Sequence, residues 1–281
     1  MTLHSIRRKK NNLLNVLRMF KKESSAIHNR RTNIMVLIIF SFSFIYSVTA
    51  TLGCNIKRMS VYYAYGHELK SFTLQVGVIC FKTFLLFLVH TTFPSLVAVL
   101  FCSLCLRCSS CFNCLTRKVL RYSPEEFGPS EQIDILRQKA KVDMILEKLQ
   151  DIFSLPSFPV ILSNLLTCCA ALGTTAIDLQ AKMKIIKALF YGIANSVSLI
   201  VVLWVAGGLP IEQNKLKNAF YKRTHSRFLI VLSSEEPQCK REILDKPNFV
   251  FSGCKIFSYT RSSILTLIGT LLTYDLIIYQ I

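Results

Sequence analysis

The stretch from Thr32 to Ile56, TNIMVLIIFSFSFIYSVTATLGCNI, runs for 25 residues without an Asp, Glu, Lys or Arg. A hydrocarbon core about 30 Å thick is crossed by roughly 20 apolar residues, each adding about 1.5 Å of helix. From Ile34 to Phe40 every position is apolar, which excludes the alternation a transmembrane strand needs. A helix also satisfies its own backbone hydrogen bonds, as lipid requires. The stretch therefore reads as a transmembrane helix. It starts after 31 residues and lacks a small-residue cleavage site at its end, so a cleavable signal peptide is not expected.

Outward from it lie four more such runs. They cover 24 residues from Thr83 to Leu106, 26 from Ile152 to Ile177, 24 from Ala188 to Ile211, and 20 from Ser262 to Ile281 with Asp275 inside. Only 18% of the chain is charged and its mean hydropathy is +0.42, against about 25% charged in soluble domains. Five gaps of this length exclude a soluble enzyme domain. The expected fold is all-α: one polytopic helical membrane domain over 1–281, with about five visible spans near 33–54, 83–106, 152–177, 188–210 and 262–281.

The net charge of +18 has a simpler source than nucleic acid, because Lys and Arg are retained in cytoplasmic loops. Nine precede the first span, eight lie in 107–151 and ten in 212–261, making 27. The connections 57–71 and 178–187 carry three each, and Lys82 completes the 34. This asymmetry places the N-terminus and the loops 107–151 and 212–261 in the cytosol, and the C-terminus outside. A multi-pass plasma-membrane protein is expected, with membrane lipids as partners, and an external ligand would bind among the helices near their outer ends.

Local signals refine this outline. Leu13, Leu14, Val16, Leu17 and Phe20 among basic residues suit a segment on the inner leaflet, or a basic tail that only fixes topology. Ser123, Pro124 and Glu126 form a capping-box pattern, with Ser130 as a second start. Ile135, Val142, Leu146, Leu149 and Ile152 then recur at helical spacing, so one long helix is expected to continue into the third span. Phe72–Phe81 is also apolar, which suggests that the second span starts early as a tilted helix with Lys82 snorkelling and Pro94 as a kink.

Five of the 11 cysteines, Cys102, Cys105, Cys108, Cys111 and Cys114, form a ladder of step three. On a continuous helix successive sulfurs climb about 4.5 Å, so four cannot surround one ion without a break. Helix packing and S-palmitoylation beside Arg107 and Arg117 are the other readings. No phosphate loop, H-E-x-x-H or G-x-S-x-G occurs; no enzyme and no cofactor are expected. His90, mid-span, reads either as a gate or ligand contact or as a hydrogen-bonded structural residue. Asp275 is the one acidic residue inside a span, a functional candidate by default. Thr273, Leu276 and Gln280 share a helical face; in a ring of such helices Leu276 would form an apolar constriction that gates by dewetting.

The run Phe249-Val250-Phe251-Ser252-Gly253-Cys254-Lys255-Ile256-Phe257, then Leu265 to Tyr274, and finally Gln280, resembles the C-terminal signature of the arthropod gustatory receptors: T-Y, five mostly apolar residues, then Q-F. Leu149-Gln150-Asp151-Ile152-Phe153-Ser154 is similar to the family's approach to this region. The resemblance implies a seven-helix receptor, inverted relative to G-protein-coupled receptors, that assembles as a tetrameric ligand-gated cation channel. The last helix of each subunit would line the pore, with Gln280 at the gate and Thr273 and Tyr274 positioning the helix. Ile281 stands where the family has Phe, and Asp275 where it has an apolar residue. With five spans instead of seven, residues 1–31 correspond to the loop after the second helix, and the chain is expected to be N-terminally short. The implied function is a gustatory-type, non-selective cation channel subunit, forming homo- or heterotetramers and sensing a small-molecule tastant. The alternatives are a G-protein-coupled-receptor-like protein, a transporter-like protein, or a non-functional receptor fragment. A cytosolic C-terminus, D-R-Y or N-P-x-x-Y would mark the first, and paired broken helices in two halves the second.

Overall fold

The computed structural model describes residues 26–177, 182–230, 243, 245–254 and 256–280. The basic segment before Ala26 and the connection 178–181 lie outside them. Eight α-helices are described: α1 Ala26–Leu52, α2 Ile56–Tyr63, α3 Phe72–Phe87, α4 Phe93–Arg121, α5 Pro129–Ile177, α6 Lys182–Ala206, α7 Leu209–Ile230 and α8 Ser262–Gln280. A π-turn, Leu88–Thr92, joins α3 to α4, and β1 (Ser252–Gly253) pairs antiparallel with β2 (Phe257–Ser258). Three helical stretches, Thr32–Leu52, Phe72–Arg121 and Ile185–Ile230, are long and apolar enough to cross a membrane. Among the described residues the bent pair Pro129–Leu155 and Ser157–Gly173 makes a fourth if taken as one span, and the apolar run Ser262–Tyr274 in α8, where a fifth span is expected, is shorter than these. This is a multi-pass helical membrane protein.

Each helix follows from its residues. In α1, Ser43, Thr49 and Thr51 return their hydroxyls to carbonyls four residues back, at 3.0, 2.6 and 2.7 Å, which keeps polar groups paired in lipid. The second span is indeed longer than its uncharged run: helix continues from Phe72 to Arg121. Pro94 does not kink it sharply. Proline offers no N–H to the preceding turn and crowds its carbonyl, and the chain widens there into the π-turn, where the Phe93 N–H bonds to the Leu88 carbonyl. That extra residue brings Phe87 and Thr92, five apart in sequence, onto the buried side together.

The capping box is present in both directions. The Ser123 N–H donates to Glu126 at 3.0 Å, and the Glu126 N–H donates to the Ser123 hydroxyl at 3.2 Å. It closes a turn, however, and α5 starts three residues later with Pro129 as its first residue. α5 runs on as expected for 49 residues, burying Ile135, Val142, Leu146, Leu149 and Ile152. It bends by 50° around Pro156, where Pro156 and Pro159 both lack a backbone donor.

The chain divides into two compact units, whose boundaries fall after Leu100, Phe158, Val202 and Ile264. The first contains Phe101–Phe158 and Leu203–Ile264; Phe112, Phe127, Leu146, Leu149 and Phe220 are buried in it. Arg223 donates to the Leu120 carbonyl at 2.7 Å, capping the end of α4. The second contains Ser24–Leu100, Pro159–Val202 and Leu265–Ile281. Its core is Tyr46, Ala50 and Phe87, with Phe42, Phe190, Tyr191 and Ala194 packed around them.

Candidate receptor and pore elements

Two of the segments that carry the sequence resemblance, 149–154 and 249–257, meet within the first unit. α5 presents Gln150, Ser154 and Ser157 at spacings of four and three, and the β1–β2 hairpin docks on them. The Gln150 amide donates to the Ser252 carbonyl at 2.7 Å and to its hydroxyl at 2.9 Å, and accepts from the Ser252 N–H at 3.1 Å. It thus acts as a short partner strand for β1. The Cys254 N–H donates to the Ser154 hydroxyl at 3.1 Å, and the Ser157 and Tyr259 hydroxyls lie 2.6 Å apart. Rings of Phe101, Phe153, Phe251 and Tyr259 close over this dock, with Phe101 5.1 Å from Phe251 and 5.3 Å from Phe153. Burial raises the Tyr259 phenol, so it remains a neutral hydroxyl at physiological pH. A Cβ on Gly253 would lie 2.6 Å from the Tyr259 hydroxyl and 3.1 Å from the Phe158 Cβ; the hairpin can approach only because residue 253 has none.

Behind the hairpin sits a charge cluster that sequence reading did not single out. Asp143 receives Lys139 at 2.7 Å and Lys246 at 3.2 Å, and the amide of Gln213 reaches its other oxygen at 3.5 Å. Gln213 in turn accepts from the Phe249 N–H at 2.6 Å, while Lys217 donates to the Lys246 carbonyl. Asp143 and Lys139 are only 7% and 6% exposed. The network joins α5, α7 and the segment that leads into β1. The one local signal was a Lys and an Asp four apart, which usually marks a solvated pair.

The body of α8 is bare by comparison. Leu265, Leu272, Leu276 and Ile277 are exposed, and among its described residues Leu267 alone is buried. Thr273, Leu276 and Gln280 lie on one helical face and are exposed, as is Tyr274. The Thr273 hydroxyl returns to the Gly269 carbonyl at 2.9 Å. Asp275 lies in the helix, but its side chain is outside the described set, and so is all of Ile281.

In the second unit the aromatic cluster was not anticipated either. Tyr46 lies 4.4 Å from Phe87, 5.3 Å from Phe190 and 5.5 Å from Tyr191 between ring centroids, and Phe42 lies 5.0 Å from Phe190. The Tyr46 and Tyr191 rings meet edge to face, at 79° between their planes. Beside them the Ser43 and Thr92 hydroxyls are 2.5 Å apart, and the buried Thr91 hydroxyl has no partner. Aromatic residues four apart on α1 and adjacent on α6 hinted at it, but spacing does not say which helices pack. An open groove of about 410 Å³ runs along α5, lined by Pro159, Leu162, Ser163, Leu166, Thr167 and Ala170; all six belong to one helix.

His90 lies exposed in the π-turn. The cysteine ladder stays on continuous α4. A step of three turns each sulfur back by about 60° on a helix, and the side chains pass from buried Cys102, Cys105 and Cys108 to half-buried Cys111 and exposed Cys114. Among the described residues no group of three or more His, Cys, Asp or Glu converges on a metal position.

No family model matches the chain, and no curated protein matches it. Among solved structures, it is similar to the insect olfactory receptor of Machilis hrabei in complex with eugenol. The TM-score is 0.66 at 16% identity, over 94% of this chain and 70% of that one. The fold is therefore that of an insect olfactory receptor.

Proposed function

We propose that the chain is a chemoreceptor subunit of the gustatory type, which converts binding of a small external molecule into cation entry across the plasma membrane. The observation that carries this reading is the contrast within the terminal segment: a hairpin locked onto α5, followed by an apolar helix that its own chain leaves uncovered. Such a helix suits a pore assembled from several subunits, homo- or heterotetrameric, with Thr273, Leu276 and Gln280 toward the conduit. The olfactory receptor fold and the resemblance of 249–257, Thr273, Tyr274 and Gln280 to the gustatory signature support it. In this reading the N-terminus is cytosolic and the C-terminus external.

The aromatic cluster around Tyr46 is the candidate ligand contact. Five aromatic rings, two of them carrying phenol hydroxyls, favour a small, mainly apolar molecule with one polar group. Ligand must bind the open arrangement better than the closed one, since equal affinity shifts nothing. Cys114, the exposed end of the ladder, is the member most open to S-palmitoylation.

The test is whole-cell current from cells with the chain at the surface, alone and with other receptors of the class, against a tastant panel. The expected result is a ligand-evoked cation current that Tyr46→Ala weakens with surface level unchanged. Evoked current insensitive to Tyr46→Ala would remove the ligand assignment, and silence of confirmed surface oligomers across the panel would count against the channel.

A further inference from the structure

The terminal helix begins at a seat built by three residues of the first unit. α6 ends at Ala206, and Gly207 and Gly208 interrupt the helix before α7. A Cβ on Gly207 would lie 2.6 Å from the Arg261 nitrogen and 2.9 Å from the Thr260 carbonyl carbon. Those are backbone atoms and cannot swing aside, so only glycine lets residues 260–261 lie against the break. The Arg261 guanidinium then sits over the Trp204 ring, 4.3 Å from its centroid. Immediately beyond, the Ser263 N–H donates to the Thr260 hydroxyl at 3.3 Å and the Ser263 hydroxyl donates to the Ser258 carbonyl at 2.9 Å, which caps the first turn of α8. The first turn is thus fixed by contacts to α6 that are separate from the hairpin dock on α5.

Resting on the channel reading above, we propose that Trp204, Gly207 and Arg261 are positioning residues for gating: they clamp the root of the pore helix and oppose its movement toward the open arrangement. The clamp acts through the orientation of α8, and the stack of Arg261 on Trp204 is its releasable part, since both side chains reach solvent. Gly207 is its fixed part, and a Gly207→Ala chain is expected to misfold at this point.

The test uses the full chain and needs no ligand. Resting current, normalised to surface level, is measured for Trp204→Leu, Arg261→Gln, their combination and Trp204→Phe. In parallel, hydrogen exchange is followed in the detergent-solubilised protein at amides 262–266 and along α5. Each single loss variant is expected to raise resting current about two- to five-fold, the scale of an exposed cation–π contact. The combination should add nothing further, and Trp204→Phe, which keeps an aromatic face, should stay near the original. Exchange at 262–266 should quicken while α5 is unchanged. Independent, multiplying effects of the two losses, a Phe variant as leaky as Leu, or unchanged exchange at 262–266 would each overturn the clamp while leaving the channel reading standing. A chain that conducts under no condition, with exchange altered as expected, overturns the channel reading and the gating role with it, and leaves only a structural contact.

Discussion

Phe251 and Tyr259 are each 1% exposed, whereas Leu265 and Leu276, a few turns along the same terminal segment, are 74% and 64% exposed. The first pair belongs to a stretch where backbone and side chains are paired with α5; the second belongs to a helix with apolar residues on every side. A helix that is hydrophobic all round must be covered by lipid or by other protein. The difference teaches where the positional information lies. The root sets where α8 starts, and the body is left uncovered by the described residues. On the channel reading, substitutions in the hairpin dock should therefore act on folding, those at the Trp204–Arg261 contact on gating, and those in the body on conduction.

The sharpest way to break that division is at the charge cluster that backs the root. Asp143→Ala strips the carboxylate from Lys139 and Lys246, and leaving buried charge uncompensated costs about 3–5 kcal/mol. A large drop in thermal midpoint of the purified protein is expected; a near-neutral effect would show that the root is not held as described. Next comes a matched pair of glycines. Gly253→Val forces a side chain into Tyr259 and Phe158 and should cost roughly 1–3 kcal/mol or more. Gly269, with nothing within 4 Å of a Cβ, should accept Ala with a change of under about 1 kcal/mol. Equal effects at the two glycines would erase the contrast.

Smaller again is Gln150→Ala, which strips the N–H and carbonyl of Ser252 of their side-chain partner. About 1 kcal/mol is expected for the loss of part-buried hydrogen bonds, read as lowered stability with Gln150→Glu only partly rescuing. The smallest effect is at the exposed turn before α5. The Ser123 N–H, and after it the Ser123 hydroxyl, hold the Glu126 carboxyl below its ordinary range. A lowered folded-state pKa means a contribution present above the unfolded value near about 4.3 and lost as pH falls through the folded one. Stability should thus be flat around neutral pH, and Glu126→Gln should reduce only the acid-side slope. A slope that the substitution leaves untouched would show that the turn contributes nothing.

Much of this architecture was readable from local pattern. Each uncharged run falls largely within a long or apolar helix, the spacing of Ile135 to Ile152 gave the long α5, and Ser123 with Glu126 gave the turn. The limits were less legible: hydropathy marks what lipid covers, whereas α4 continues to Arg121 because a helix does not stop where charge begins. Pro94 signalled an irregularity, but the π-turn that absorbs it depends on what Phe87 and Thr92 must face. Resemblance singled out Gln150 and Ser252 separately; their pairing spans 102 positions, and no local rule links them. The same holds for Asp143 with Lys246 and for Tyr46 with Phe190. The shared face of Thr273, Leu276 and Gln280 on α8 follows from helical register alone.

The central claim, that α8 lines a cation pore with Gln280 at its narrow end, is tested most directly by ion selectivity. Reversal potentials would be measured with sodium outside and then with calcium or a large organic cation, comparing the original chain with Gln280→Glu and Gln280→Ala at equal surface level. The account predicts that a carboxylate at 280 raises the relative permeability of calcium and that Ala changes the size cut-off. Permeability ratios identical in all three, from a chain that conducts, would contradict it.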